Sequence, residues 1–173
     1  MIREVEGDIL LSDAQVIAHG IAPQDPFDSG LALALRERWP SLVVDYRHAA
    51  HAKSHKPGEI WCWAGVDEQG HSRCIVNLLT QDSLHSGHAA KPGKATLKNV
   101  SHALRDLAKY IASEGIESVA LPRLATGVGA LEWSDVKPII EKYLDNLNVD
   151  IIVYKEYHKG VKALEKLAHV RRY

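Results

Sequence analysis

The chain has 173 residues, a length that suits one domain and can bury a hydrophobic core without staples. Its residues are 46% hydrophobic and 25% charged, ordinary for a globular protein, and a net charge of -1 excludes a global field drawing it to nucleic acid or membrane. Two cysteines, Cys62 and Cys74, with no CxxC pair, exclude a disulfide framework and read as buried small apolar residues in a reducing compartment.

Met1-Ile2-Arg3-Glu4 passes at once into structured sequence, with no charged segment followed by a long apolar one, and no apolar run is long enough to cross a membrane. A cytoplasmic location is expected. Short apolar runs then recur: Val16-Ile17-Ala18, Ile60-Trp61-Cys62-Trp63, Cys74-Ile75-Val76-Asn77-Leu78-Leu79, Val119-Ala120-Leu121 and Ile151-Ile152-Val153-Tyr154. They are rich in β-branched residues and apolar at consecutive positions, which predicts strands buried on both faces.

Helical patterns separate the runs. One helix is predicted from about Gly30 to Trp39, closed by Pro40. Leu97, Val100, Leu104, Leu107 and Ile111 form a single apolar stripe that Gly115 ends. Val136, Ile139, Ile140, Tyr143, Leu144 and Leu147 repeat the pattern, with Ser134 or Asp135 as N-terminal cap. The last helix is expected from Val161 to Val170, with Val161, Leu164, Leu167 and Ala168 on one side. Lys159, Lys162 and Lys166 lie on its other side, so it either docks on the domain or meets a weak anionic partner. Alternating strands and helices predict an α/β fold with a mostly parallel sheet and helices on both faces. In such sheets ligands sit outside the carboxyl ends of the strands.

Two loops follow predicted strands. The first runs from Ala18-His19-Gly20 through Asp28-Ser29-Gly30-Leu31-Ala32, and the second from Leu121-Pro122-Arg123 through Leu131-Glu132-Trp133. From Ala125 to Ala130 the second loop has no charged and no large polar side chain. Small residues let backbone N–H groups approach anionic oxygens, and a helix N-terminus behind the loop adds partial positive charge. A phosphate or pyrophosphate is the fitting guest; alternatively the glycines only make tight turns. Neither loop is a P-loop or a G-x-G-x-x-G dinucleotide motif.

Gly7-Asp8-Ile9, the first loop, Asn77-Leu78-Leu79-Thr80-Gln81, the second loop and Val153-Tyr154 together resemble macrodomains over about residues 1–155. The resemblance is to the branch of terminal ADP-ribose glycohydrolases and antitoxins that reverse DNA ADP-ribosylation. It implies a three-layer α/β/α fold with a mixed, mostly parallel central sheet over residues 1–158. Residues 159–173 would be a C-terminal helix docked on the same domain. It also implies a cleft for ADP-ribose. Asp8 would accept from the adenine amino group, or else be a turn or helix-capping aspartate, and Ile9 would line that pocket, with Tyr154 an aromatic near the adenine or a ring closing the core. Ser29, Gly30 and Leu31 would lie along the ribose and phosphates, and Thr126, Gly127, Val128, Gly129 and Ala130 would wrap the pyrophosphate. His19 and Gln81 complete the expected ligand-binding set, with His19 read as a hydrogen-bonded residue at a strand end.

The sequence departs from that branch at reactive positions. Ile21 stands where many macrodomains carry asparagine. Gln81 stands where the branch uses lysine, and Gly129 where it uses aspartate. Neither an amide nor a glycine is a nucleophile or general base. Asp28 beside Gly30 is the remaining candidate catalytic carboxylate, or else an Asx-type turn before the helix. His85 and His88 could bring an acid or base to the cleft, or be solvated loop residues. Lys91 and Lys94 offer charge near a helix start. His48, His51 and His55 have helical spacings but lack a fourth metal ligand, so no metal and no cofactor are expected. Trp39, Trp61, Trp63 and Trp133 read as packing residues.

The expected function is binding of ADP-ribose or an ADP-ribosyl group, with hydrolysis of its linkage as the accompanying activity. Alternatives are a non-catalytic reader or a pocket for a related metabolite such as a cyclic phosphate or acetylated ADP-ribose. The expected partners are ADP-ribose or an ADP-ribosylated protein or nucleic acid, met by a monomer away from membranes.

Overall fold

A computed structural model describes residues 2–83 and 92–168. The elements are β1 (Ile2–Gly7), β2 (Val16–Gly20), α1 (Gly30–Arg38), α2 (Pro40–Ala52), β3 (Ile60–Val66) and β4 (Ser72–Leu78), followed by β5 (Gln81–Ser83), β6 (Pro92–Ala95), α3 (Leu97–Glu114), β7 (Ser118–Pro122), α4 (Trp133–Leu144) and β8 (Asp150–Tyr157). Six strands form one sheet in the order β1-β8-β7-β2-β4-β3, parallel except for the antiparallel edge strand β3, and β5 and β6 form a separate hairpin.

Consecutive apolar residues divide between the two faces because strand side chains alternate. Val16, Ala18, Val119, Leu121, Ile151 and Val153 join the cluster built with α3 and α4. Ile17, Ala120 and Ile152 point to the opposite face, where α1, α2 and the C-terminal segment close the third layer. The α/β sandwich with a mixed, mostly parallel sheet is as expected. No described helix is long and apolar enough to cross a membrane.

The helix ends follow local chemistry in most places. Thr96 caps α3 by accepting from Asn99 N at 3.1 Å, and Gly115 closes it in the left-handed region at φ 64°. At α4 the cap position is Glu132, without a side-chain bond, rather than Ser134 or Asp135. Pro40 ends α1 as expected but also starts α2, because a first-turn residue needs no N–H. The cysteines are less buried than expected. Cys62 is exposed on the edge strand, and Cys74 is half-buried with its sulfur 3.3 Å from the Tyr110 hydroxyl.

The helix expected from Val161 is absent from the described residues. Residues 158–168 form a non-helical strap over the segment that follows β1. Asp8 N donates to Val161 O at 2.7 Å and His158 N to Gly7 O at 3.0 Å. Burial has the period of a strand: Ala163 and Glu165 are buried, while Leu164 is 76% exposed. Glu165 decides against the helix. Its carboxylate accepts from Ser12 Oγ (2.6 Å), Asp13 N (2.9 Å) and Tyr154 Oη (2.7 Å), a donor set that an amphipathic helix docked through its leucines would leave unused.

Candidate functional site

The parallel strands β2 and β7 are neighbours, so the loops that leave their carboxyl ends face each other. Between them lies a cavity of about 370 Å³. Loop one contributes His19, Gly20, Asp25, Ser29, Gly30 and Leu31; loop two contributes Arg123, Ala125, Gly127, Val128 and Gly129. Gln81 forms part of the wall between them.

The β5–β6 hairpin ties the two loops together. Gln81 N donates to Ile21 O at 3.3 Å in loop one, and Ala95 N donates to Gly129 O at 3.0 Å in loop two. The Gln81 side chain is fixed too, its Nε2 donating to Gly93 O at 2.9 Å. It is therefore a buried wall residue with no ionisable group.

In loop two the tight turns belong to alanines. Ala125 and Ala130 are left-handed, both at φ 63°, whereas Gly127 and Gly129 are not in that region. Leu131 N donates to Ala125 O (2.9 Å) and Ala130 N to Gly127 O (3.0 Å), which closes the loop on itself. Gly129 is glycine for packing, since a Cβ there would lie 2.7 Å from Ala125 O and 2.9 Å from Ala95 Cβ. Gly127 has neither reason: a Cβ there would meet nothing within 4 Å. Thr126 turns away to its own loop, its Oγ1 donating to Arg123 O at 2.8 Å, and neither Thr126 nor Ala130 lines the cavity.

Helix α1 points its N-terminus into the same space. Its cap Ser29 makes no side-chain bond to the first turn, and that turn carries no acidic residue. The first N–H groups of a helix have no intrahelical acceptor, so this end presents donors and partial positive charge to the cavity.

His19 is 1% exposed and its Nε2 lies 2.6 Å from Asn77 Oδ1. Asn77 Nδ2 donates to Trp61 O at 3.1 Å, which orients the amide oxygen to the histidine, so Nε2 carries the proton. Burial lowers the pKa of His19 from 6.5 to about 4, with the Asn77 bond opposing, and the ring is neutral at physiological pH. A folded-state value depressed below 6.5 gives stability that is complete above pH 6.5 and lost as pH falls toward 4. The loss amounts to about 3 kcal/mol at most. Thermal unfolding between those pH values should therefore show a steep acid limb in the native chain, flattened in His19→Gln. Equal slopes would refute the assignment.

The cavity carboxylate is Asp25, which the sequence reading passed over. Its Oδ2 accepts from Ala22 N (3.0 Å) and its Oδ1 from Phe27 N (2.9 Å). Burial raises its pKa, the two N–H bonds oppose this, and neighbouring Asp28 adds to the rise. Asp28 is exposed and does not line the cavity. The available signal was Asp25-Pro26-Phe27: an aspartate accepting from the residue two ahead is an Asx turn, and buried Phe27 holds it inward. Arg123 is the cationic side chain among the described lining residues; it pairs with Glu4 at 3.6 Å and lies over the Trp133 ring at 5.4 Å.

Asp8, Ile9 and Tyr154 do not line this cavity; they are 5%, 2% and 5% exposed. Asp8 Oδ1 accepts from Leu10 N (2.9 Å) and Oδ2 from Gly160 N (2.9 Å), while the Tyr154 hydroxyl donates to Glu165. His85, His88 and Lys91 lie outside the described residues. His48 and His51 sit on α2, but His55 lies beyond its end and stacks on Tyr46 at 4.7 Å, so the three do not share a helix face. The side-chain ligand atoms of Glu6, Glu156 and His158 lie within 4.8 Å of one another at the surface.

Comparison with known proteins agrees with this geometry. The family model for the Macro domain matches residues 22–140. A DNA ADP-ribosyl transferase–DNA ADP-ribosyl glycohydrolase fusion protein of Thermosipho africanus is 26% identical over 164 residues, 91% of this chain and 42% of that protein. The human ADP-ribose glycohydrolase OARD1 is 26% identical over 154 residues, covering 88% of this chain and 90% of that one. The macrodomain of Thermus aquaticus DarG superposes with a TM-score of 0.75 at 27% identity, over 90% of this chain and 98% of that one. The chain spans less than half the length of the bacterial curated relatives it matches.

Proposed function

Since the chain belongs to the Macro domain family, we propose that its cleft binds ADP-ribose or an ADP-ribosyl group, with the diphosphate between loop two and the N-terminus of α1. The observation that carries this reading is Gly127, a glycine with no backbone or packing reason to be one, facing open space in the cavity. Its backbone can approach an anion there, and the uncapped first turn of α1 supplies donors from the other side. Calorimetry with ADP-ribose tests it. Saturable binding is expected, and no heat at millimolar ligand would remove the reading.

Hydrolysis of the ADP-ribosyl linkage is the second reading, supported by Asp25 in the cavity and by the glycohydrolase names of the relatives. A carboxylate with a raised pKa is suited to move a proton to or from a water or leaving group. Asp25→Asn should lower release of ADP-ribose from modified protein or DNA by about 10²-fold or more, the usual contribution of a positioned acid or base. Asp28→Ala should retain release, because that side chain stands outside the cavity. The reverse order would move the role to Asp28, and no release from either substrate by the native chain would leave a reader. In this reading the protein works as a monomer in the cytoplasm.

A further inference from the structure

The geometry points to a strap, residues 158–168, that closes the nucleobase end of the cleft and must lift before an ADP-ribosyl group seats fully. The inference rests on the ADP-ribose reading above. It starts from Leu31, which is a shared wall. One side of Leu31 lines the cavity, and Leu31 also packs against the apolar cluster to which Ile9, Tyr154 and the strap's Ala163 belong. The apolar space next to the cavity is thus filled by the chain's own strap. The cavity, at about 370 Å³, is near the low end of the ~300–1,000 Å³ that sites for drug-sized ligands occupy. A ligand carrying two riboses, a diphosphate and a base needs adjoining room.

The strap also occupies the polar groups at that end. Gly160 N donates to Asp8 Oδ2, Val161 O accepts from Asp8 N, and Glu165 accepts from Tyr154. A donor on the edge of a base would compete with Gly160 N for the same carboxylate oxygen, exchanging one hydrogen bond for another. The strap is packed closely on the end of β1: a Cβ on Gly7 would lie 2.8 Å from Val161 O and 2.9 Å from Ala163 Cβ.

The strap is held by polar bonds more than by apolar burial. Ala163 is inward while Val161 and Leu164 are 53% and 76% exposed, and Arg3 donates to Glu165 O and Lys166 O, Lys162 pairs with Asp13, and Ala168 N donates to Asp150. Its latch, Glu165, is a buried carboxylate held by two hydroxyls and one backbone N–H, and lifting returns the charge to water. Left-handed residues lie near each of its ends, Gly160 at φ 76° and Lys166 at φ 54°.

Hydrogen exchange on the unmodified full chain, with and without ADP-ribose, is the first test. Amides of residues 160–168 and Asp13 N should exchange about tenfold faster in the complex, because a lifted strap loses its protection. Unchanged or slower exchange there, with ligand bound, overturns the strap. The second test is calorimetry of full-length Glu165→Ala. ADP-ribose should bind about tenfold tighter, since a state closed most of the time taxes apparent affinity, while inorganic pyrophosphate should bind both forms alike. Equal ADP-ribose affinities overturn the strap and leave the cleft reading standing. Absence of binding by either ligand to either form overturns the cleft reading itself. Should Glu165→Ala not fold, the exchange measurement decides alone.

Discussion

Gly127→Phe should abolish ADP-ribose binding while leaving the melting temperature within about 2 °C of the native chain. The two halves of this expectation come from one fact: a Cβ at Gly127 meets nothing within 4 Å. The residue is not left-handed, so a side chain adds no backbone strain, and substitutions without strain or core contact stay within about 0.5 kcal/mol. The ring would instead occupy the cavity between loop two and the start of α1. A loss of ~100-fold or more in affinity, about 3 kcal/mol, is expected for filling the anion's space. Gly127→Ala should fall between, since one methyl narrows the cavity without closing it. Calorimetry and a thermal melt on the same sample check both halves. Native-like binding by Gly127→Phe would show that the diphosphate lies elsewhere.

Much of this geometry was legible in the sequence because two signals agree. Runs such as Val119-Ala120-Leu121 announce strands with both faces covered, and the structure sends Val119 and Leu121 to one helical layer and Ala120 to the other. The small residues from Ala125 to Ala130 announce a loop that something approaches closely. Resemblance to macrodomains added order to these signals, and the family match and the fold agree with it.

What escaped has physical causes. Pro40 reads as a terminator, but the same missing N–H makes it a fit first residue for α2, and only packing of Leu42, Val43 and Tyr46 decides between the roles. The strap reads as a helix because Val161, Leu164 and Leu167 have helical spacing. Its fate is set by partners distant in sequence, Ser12, Asp13 and Tyr154, whose donors converge on Glu165. Asp25 and Asp28 are three residues apart in one turn-rich loop, and composition cannot say which faces the cavity. Phe27 decides it by burying itself against His19 and Tyr46, at ring separations of 6.1 and 5.7 Å, which draws Asp25 inward.

Gly129→Asp gives the sharpest contrast with Gly127→Phe. This position is where the resemblance places an aspartate of the glycohydrolase branch, so the substitution looks like a restoration. The fold argues otherwise. A Cβ at Gly129 lies 2.7 Å from Ala125 O and 3.0 Å from Ala125 Cα, both backbone atoms of the same loop. Relief requires the loop to move, and movement endangers the bonds from Ala95 N to Gly129 O and from Leu131 N to Ala125 O. Such overpacking costs about 1–3 kcal/mol. For a domain of this size that is a fall of roughly 2–12 °C in melting temperature. Binding should weaken with it, because loop two would no longer hold its amides against the cavity, and release of ADP-ribose should not rise. A stable Gly129→Asp with raised turnover would show that the loop relaxes freely around the new side chain. The two glycines therefore differ in what they leave room for: Gly127 for the ligand, Gly129 for the loop's own backbone.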